Sequence, residues 1–173
     1  MTRTTTKTTL LTAATVTTGL LAGSFYVFAC AVMPGLARSD DATYVEVMRN
    51  INDVIQNPVF LASFLGAPVL TGVAAWQLRG ASGRRWLWAA AAANVLALLV
   101  TVVVNIPLND DLMRAGDPAV LREEFEGVWV AWNVVRGVLV TVGLGCLAVG
   151  SRSSRWSAGS PAGAARVGAD GTR

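Results

Sequence analysis

Four blocks of nearly uncharged, apolar sequence set the terms for this chain: residues 10–36, 59–78, 86–105 and 127–149. Each reaches the ~20 residues that a helix needs to cross a ~30 Å hydrocarbon layer. In lipid the backbone must satisfy its own hydrogen bonds, so spans of this kind are helical. Only 14% of the 173 residues are charged, against about 25% in a soluble domain. The expectation is an all-α fold: an integral membrane four-helix bundle occupying residues 10–150, after a short lead at 1–9.

The net charge of +3 conceals a segregation. Arg3 and Lys7 precede the first block, Arg79, Arg84 and Arg85 separate the second from the third, and Arg152, Arg155, Arg166 and Arg173 follow the fourth. The acidic residues gather in the other two loops, Asp40, Asp41, Glu46 and Asp53 in one and Asp110, Asp111, Asp117, Glu123, Glu124 and Glu126 in the other. By the positive-inside rule both termini and the middle loop lie in the cytoplasm, which suits a multi-pass protein of the cell (inner) membrane. The basic residues form no dense patch with interleaved aromatics, so no nucleic-acid partner is expected.

The polar segments carry structure of their own. Residues 40–56 place Tyr44, Val47, Met48, Ile51, Val54 and Ile55 at helical spacing, with acids near the start. This predicts an outer amphipathic helix that lies on the bilayer or caps the bundle. Asn57-Pro58 then breaks the chain before the second span. Asp117 is placed to cap a short helix over 118–125. Residues 151–173 show no apolar period and read as a disordered basic tail.

Several spans carry small residues at four-residue spacing: Thr15, Gly19 and Gly23, then Ser63, Ala67, Thr71 and Ala75, then Gly137, Thr141 and Gly145. Such ladders let helices approach closely and allow a homo-oligomer. In the first span the ladder continues through Tyr26, Cys30 and Met33, so that side is expected to be buried. Ala29-Cys30-Ala31 resembles a signal-cleavage region, but the apolar segment is long and Phe28 is bulky, so the first block reads as a retained span. Cys30 falls near the outer end of the first span and Cys146 near the inner end of the fourth, too far apart to pair.

The fourth block contains a charge. Arg136 lies roughly 14 Å from its start, near mid-membrane, where a guanidinium is costly and faces a bundle interior or a wet cavity. Trp129, Asn133, Arg136 and Val140 share one face, and Asn94, Leu98, Thr101 and Asn105 repeat that spacing in the third block. No carboxylate lies inside any span, so amides, carbonyls, water or an anionic ligand must satisfy Arg136. Interhelical hydrogen bonds contribute about 0.6–2 kcal/mol, less than the ~3 kcal/mol insertion cost of a central arginine, so structural glue is a weak motive for it. Tyr26, Thr101, Asn105 and Asn133 fall in the outer half beside it. Trp129 reads equally as a belt residue or a pocket wall, and Trp132 as a wall or a cover for the arginine stem. With no histidine in the chain, there is no usual haem, zinc or non-haem iron site and no histidine base. Neither a P-loop nor a GxGxxG before a helix occurs.

Gly19 through Phe28, Val32-Met33-Pro34, Asn57-Pro58-x-Phe60, Asn105-Ile106-Pro107-Leu108-Asn109 and Trp129-x-x-Trp132-Asn133-x-x-Arg136 together resemble the anthrone oxygenase-like family of small four-span membrane proteins. The resemblance covers residues 19–143. Some members oxidise anthrones to anthraquinones without a metal or flavin. The resemblance therefore implies no cofactor, a lipophilic small-molecule substrate, and Arg136, Asn133, Asn105 and Asn109 as site positions. Arg136, Asn133 and Asn105 would serve catalysis, with Tyr26, Asn94, Thr101, Asn109, Trp129 and Trp132 as substrate-binding residues. A buried cation would stabilise an enolate. Asp53, Asp110 and Glu126 are the candidate bases, each dependent on how the loops fold. Two other classes stay open: a carrier for an anionic lipid or quinone-like ligand, and a structural membrane subunit.

Overall fold

The structure, a computed structural model, describes residues 2–158. Among the described residues the chain is helical throughout: α1 (Thr2–Val27), α2 (Met33–Leu36), α3 (Asp41–Val54), α4 (Pro58–Gln77), α5 (Arg84–Val100), α6 (Ile106–Leu112) and α7 (Pro118–Ala158). Thr5–Leu36, Pro58–Gln77, Arg84–Leu112 and Pro118–Ser153 are long and apolar enough to cross a membrane. They run alternately up and down, α1 against α4 and α7, and α5 against α4 and α7. The all-α, four-helix membrane bundle expected from the apolar blocks is the fold.

Three apolar layers stack along the bundle. Leu11, Ala14, Ala75, Leu87, Ala91 and Leu147 fill the end that carries the short 78–83 turn. Leu21, Phe25, Ala67, Ala97 and Val140 fill the middle. Met33, Tyr44, Met48, Leu112, Phe125 and Trp129 fill the other end, where α3 lies across the spans. The amphipathic segment is thus a cap on the bundle. Its apolar stripe buries Tyr44, Val45 and Met48.

Local chemistry explains where these helices start. Asp40 caps α3, its carboxylate accepting from the Thr43 amide at 3.0 Å and the Thr43 hydroxyl at 2.8 Å; these bonds hold the Asp40 carboxyl below its ordinary pKa. Asn57 caps α4 by accepting from the amides of Val59 and Phe60, with Pro58 in the first helical position, where its missing N–H is harmless. Asp117 accepts from the Ala119 amide at 2.9 Å, as its position predicts. The helix it starts does not stop at 125. It continues unbroken into the fourth span and on to Ala158, into the first residues of the basic tail. The rest of the expected tail, 159–173, lies outside the described residues.

Two turns depart from α geometry, at Phe28–Val32 and Thr101–Asn105. Each ends two residues before a proline, Pro34 and Pro107. A proline ring inside a helix clashes with the carbonyl four residues back and leaves it without a donor. Widening the turn relieves this: the Met33 amide reaches the Phe28 carbonyl and the Ile106 amide reaches the Thr101 carbonyl, each five residues back.

The glycine ladders do not all pack. Ala67, Thr71 and Ala75 of α4 are buried, but nothing lies within 4 Å of a Cβ built on Gly19, Gly23 or Gly145. The intimate contact is α5 with α7, where a Cβ on Gly143 would sit 3.2 Å from Asn94 Nδ2 and 3.4 Å from Ala93 Cβ. Gly143→Leu should therefore lower the melting midpoint in detergent through an overpacking cost of about 1–3 kcal/mol. Gly19→Leu should leave the midpoint unchanged; equal effects would refute the assignment of faces.

Tyr44 is fully buried and, among the described residues, its hydroxyl has no hydrogen-bond partner. Burial raises its pKa, the charge of Glu126 adds to the rise, and Arg122 partly offsets it. Because the folded pKa is above the unfolded one, the neutral phenol stabilises the fold fully below about pH 10 and the benefit is lost as pH climbs beyond. Tyr44→Phe should remove this alkaline loss and be neutral or slightly stabilising at pH 7, since the replacement leaves no orphaned hydroxyl. Alkaline unfolding monitored by circular dichroism reads both effects; a destabilised Tyr44→Phe at pH 7 would contradict the unpartnered hydroxyl.

Candidate functional site

A cavity of about 270 Å³ opens between the spans just beneath the α3 cap. It lies slightly below the ~300–1,000 Å³ usual for small-molecule pockets. Most of its wall is apolar: Phe25 and Phe28 from α1 and the first wide turn, Ile51 and Ile55 from the cap, Phe60, Leu61 and Phe64 from the start of α4, and Trp129 from α7. Its polar groups are Ser24, Asn52, Gln56, Thr101, Asn109, Asp110, Asn133 and Arg136.

Arg136 is 5% exposed. Its Nη1 donates to the Thr101 hydroxyl at 3.2 Å and its Nη2 to Asn133 Oδ1 at 3.2 Å. Both acceptors are themselves oriented. Thr101 donates to the Ala97 carbonyl at 2.9 Å, which turns its lone pairs toward the guanidinium. Asn133 donates from Nδ2 to the Phe25 carbonyl at 3.2 Å, tying α7 to α1. The guanidinium carbon lies 4.6 Å from the Phe25 ring centroid and 5.6 Å from that of Trp129, so two negative ring faces supplement the neutral hydrogen bonds. Nε has no partner, and among the described residues Arg136 makes no ion pair. The charge is therefore held by neutral dipoles and rings alone, in a setting where an anionic oxygen would bind strongly.

Trp129 is a buried wall, not a belt residue. Its indole donates to Asn109 Oδ1 at 2.9 Å, and its ring packs between Phe28 and Phe125, with centroids 5.9 and 5.8 Å away. Around the cavity the structure thus brings together Thr101, Asn109, Trp129, Asn133 and Arg136 of the residues singled out in the sequence.

The other four stand apart. Tyr26 is 67% exposed on the outer surface of α1, and Trp132 points outward on α7. The buried face of α1 is Leu11, Ala14, Thr18, Leu21, Ala22 and Phe25, so Gly23, Tyr26 and Cys30 of the expected face are exposed, while Met33 at its end is buried. Asn94 is buried deeper in the bundle, donating to the Ala90 carbonyl at 3.0 Å, and does not line the cavity. Asn105 is buried in the second wide turn, where neither side-chain polar atom has a partner, and it too is absent from the cavity wall.

Sequence reasoning missed Phe25, Asn52, Phe60 and Phe64. Asn52 borders the apolar stripe of α3 and reaches the cavity because that helix folds over the bundle. The phenylalanines carried no signal, because lipid-facing and core-facing positions are equally apolar.

A family model described as anthrone oxygenase matches residues 57–146. The match takes in α4, α5, the second wide turn, α6 and α7 through Cys146, and with them Thr101, Asn109, Trp129, Asn133 and Arg136. The first-span features that also suggested the resemblance, Gly19–Phe28 and Val32–Pro34, lie outside it. Neither the curated proteins nor the solved structures yield a match. The family model spans more than half of the 173 residues, and its apolar helices are the spans of the bundle: this chain is an integral membrane protein that belongs to the anthrone oxygenase family.

Proposed function

We propose that the protein is a cofactor-independent oxygenase of the inner membrane, acting on a lipophilic, enolisable aromatic in the cavity beside Arg136. The observation that carries this reading is a buried guanidinium with no carboxylate partner among the described residues, flanked by aromatic rings and lining an apolar cavity. An anthrone loses a benzylic proton to give an enolate whose charge rests on oxygen, and that anion passes an electron to dioxygen without a metal or flavin. A preorganised cation in a low-dielectric site lowers the barrier to forming it. Thr101 and Asn133 hold the cation in place, and Phe25, Phe28 and Trp129 provide flat walls for a ring system.

Leu61 both lines the cavity and is exposed on the surface of α4, which supports lateral entry of a substrate dissolved in the bilayer. The segregation of charges supports an orientation with both termini and the 78–83 turn cytoplasmic and the cavity in the outer half of the membrane. The test is oxygen uptake by the purified protein on a panel of hydroxyanthrones, with Arg136→Gln as control. Turnover no faster than the control on every member would remove the enzymatic reading.

A further inference from the structure

The sequence offers three acids within loop reach of the site, and the structure separates them. Glu126 is engaged: its Oε2 accepts from Arg122 Nε at 2.7 Å. Asp53 is exposed and does not line the cavity. Asp110, on α6, does line it, and no other carboxylate is among the lining residues. Its neighbour Asp111 pairs with Arg114 at 2.9 Å, whereas Asp110 makes no ion pair among the described residues.

Asp110 and Arg136 thus share one cavity without neutralising each other. Arg136 is buried, and Asp110 is exposed at the rim of the same cavity. A base placed so can take a proton from a molecule in the cavity and pass it to water. We infer that Asp110 is the general base of the site, removing the benzylic proton of an anthrone-like substrate whose enolate oxygen faces Arg136. The inference rests on the oxygenase reading for its substrate class.

The balance closes with dioxygen as the only co-reactant. The Asp110 carboxylate takes one proton from the methylene carbon, and the C–H electron pair moves into the ring system to give the enolate. Electron transfer to dioxygen and collapse of the radical pair form a C–O bond, and the resulting peroxide anion takes the proton back from Asp110. Asp110 then removes the second proton of that carbon. Its electron pair forms the carbonyl, the O–O bond breaks, and the departing hydroxide collects the proton as water. The methylene has lost four electrons and dioxygen has gained four, one oxygen atom ending in the ketone and one in water.

The first step is measurable without oxygen. Under anaerobic conditions in D2O, the full-length protein should speed deuterium incorporation at the benzylic carbon of a dihydroxyanthrone, read by mass spectrometry. Asp110→Asn should lower that rate about 100-fold or more while still binding the anthraquinone product. Asp110→Glu should keep part of the rate, and Asp53→Asn all of it. The proposal is overturned if the wild-type protein drives no exchange, or if Asp110→Asn exchanges at a rate near wild type. It is also overturned if both Asp110 variants lose product binding together with exchange, which would mark a structural role. Exchange that depends on Asp110 in a protein that consumes no oxygen would sink the oxygenase reading and leave the base in place.

Discussion

Arg136→Gln is expected to abolish most oxygen uptake while leaving the protein as stable as before, or more so. These two outcomes go together for a physical reason. A guanidinium near mid-membrane costs about 3 kcal/mol to insert, and its partners here are a hydroxyl and an amide at 3.2 Å, contacts that return ~0.6–2 kcal/mol each at best. Glutamine keeps a donor in the cavity and removes the charge. The melting midpoint in detergent should therefore hold or rise. Loss of one preorganised electrostatic group aimed at a developing oxyanion typically lowers turnover ~100- to 1,000-fold, and the same range is expected here. A variant that unfolds would instead make Arg136 a structural pin. A variant that turns over near the wild-type rate would detach the charge from the chemistry.

The fourth helix was the most legible part of this site. Trp129, Asn133, Arg136 and Val140 are all buried, as their spacing on one face requires, because polar residues inside an apolar run identify the inward side. Asn94, Thr101 and Asn105 do the same for α5 and the turn after it. Where the polar residues fell on several sides of a span, as Thr12, Thr15, Thr17 and Thr18 do on α1, the inward side was hidden. Along α1 the lipid-facing residues Val16, Leu20 and Val27 are as apolar as the buried Leu11, Leu21 and Phe25. The glycine ladder was the available guide, and from Gly23 through Cys30 it marked the exposed side. Tyr26 fell with it. On α7, Trp129 and Trp132 are three residues apart, yet 5% and 36% exposed, and only the neighbouring Asn133 and Arg136 could have separated them.

The wide turns had a readable cause and were still missed. A proline usually ends a helix or kinks it, and Pro34 and Pro107 do neither in the simple way. In lipid a helix that ends leaves backbone groups without partners, so the chain widens by one residue and continues. Thr101, the first residue of the second wide turn, is the hydroxyl that receives Arg136. The asparagine-proline and aspartate caps were legible because they depend only on neighbouring residues. The folding of α3 over the cavity depends on distant partners, which is why Asn52 and Asp110 acquired a place only in three dimensions.

The second large effect is expected at Arg122, which lies two heptads before Arg136 on the same helix and in the opposite electrostatic situation. Its Nε donates to Glu126 at 2.7 Å, and Nη1 to Asp41 and to the Ser39 carbonyl, both at 2.9 Å. Nη2 donates to the Ala37 carbonyl at 3.0 Å, and the guanidinium carbon lies 4.6 Å from the Tyr44 ring centroid. One side chain thus fastens the 37–41 connection and the start of the α3 cap onto α7. Arg122→Met keeps the apolar stem and removes every one of these donors. Asp41 and Glu126 remain half-hydrated, 49% and 28% exposed, so water recovers part of the loss and the cost should be about 2–3 kcal/mol, below the 3–5 kcal/mol of a fully buried pair. The loss should concentrate in the cap. Hydrogen exchange should accelerate at the amides of Tyr44 to Met48 while those of α5 and lower α7 keep their protection, because opening the cap leaves the spans paired. Oxygen uptake should also fall, since the cap supplies the Ile51 and Asn52 wall of the cavity. Uniform acceleration along all four spans would mean that Arg122 holds the whole bundle, and unchanged exchange at α3 would mean that the apolar contacts of Tyr44, Val45 and Met48 hold the cap without it.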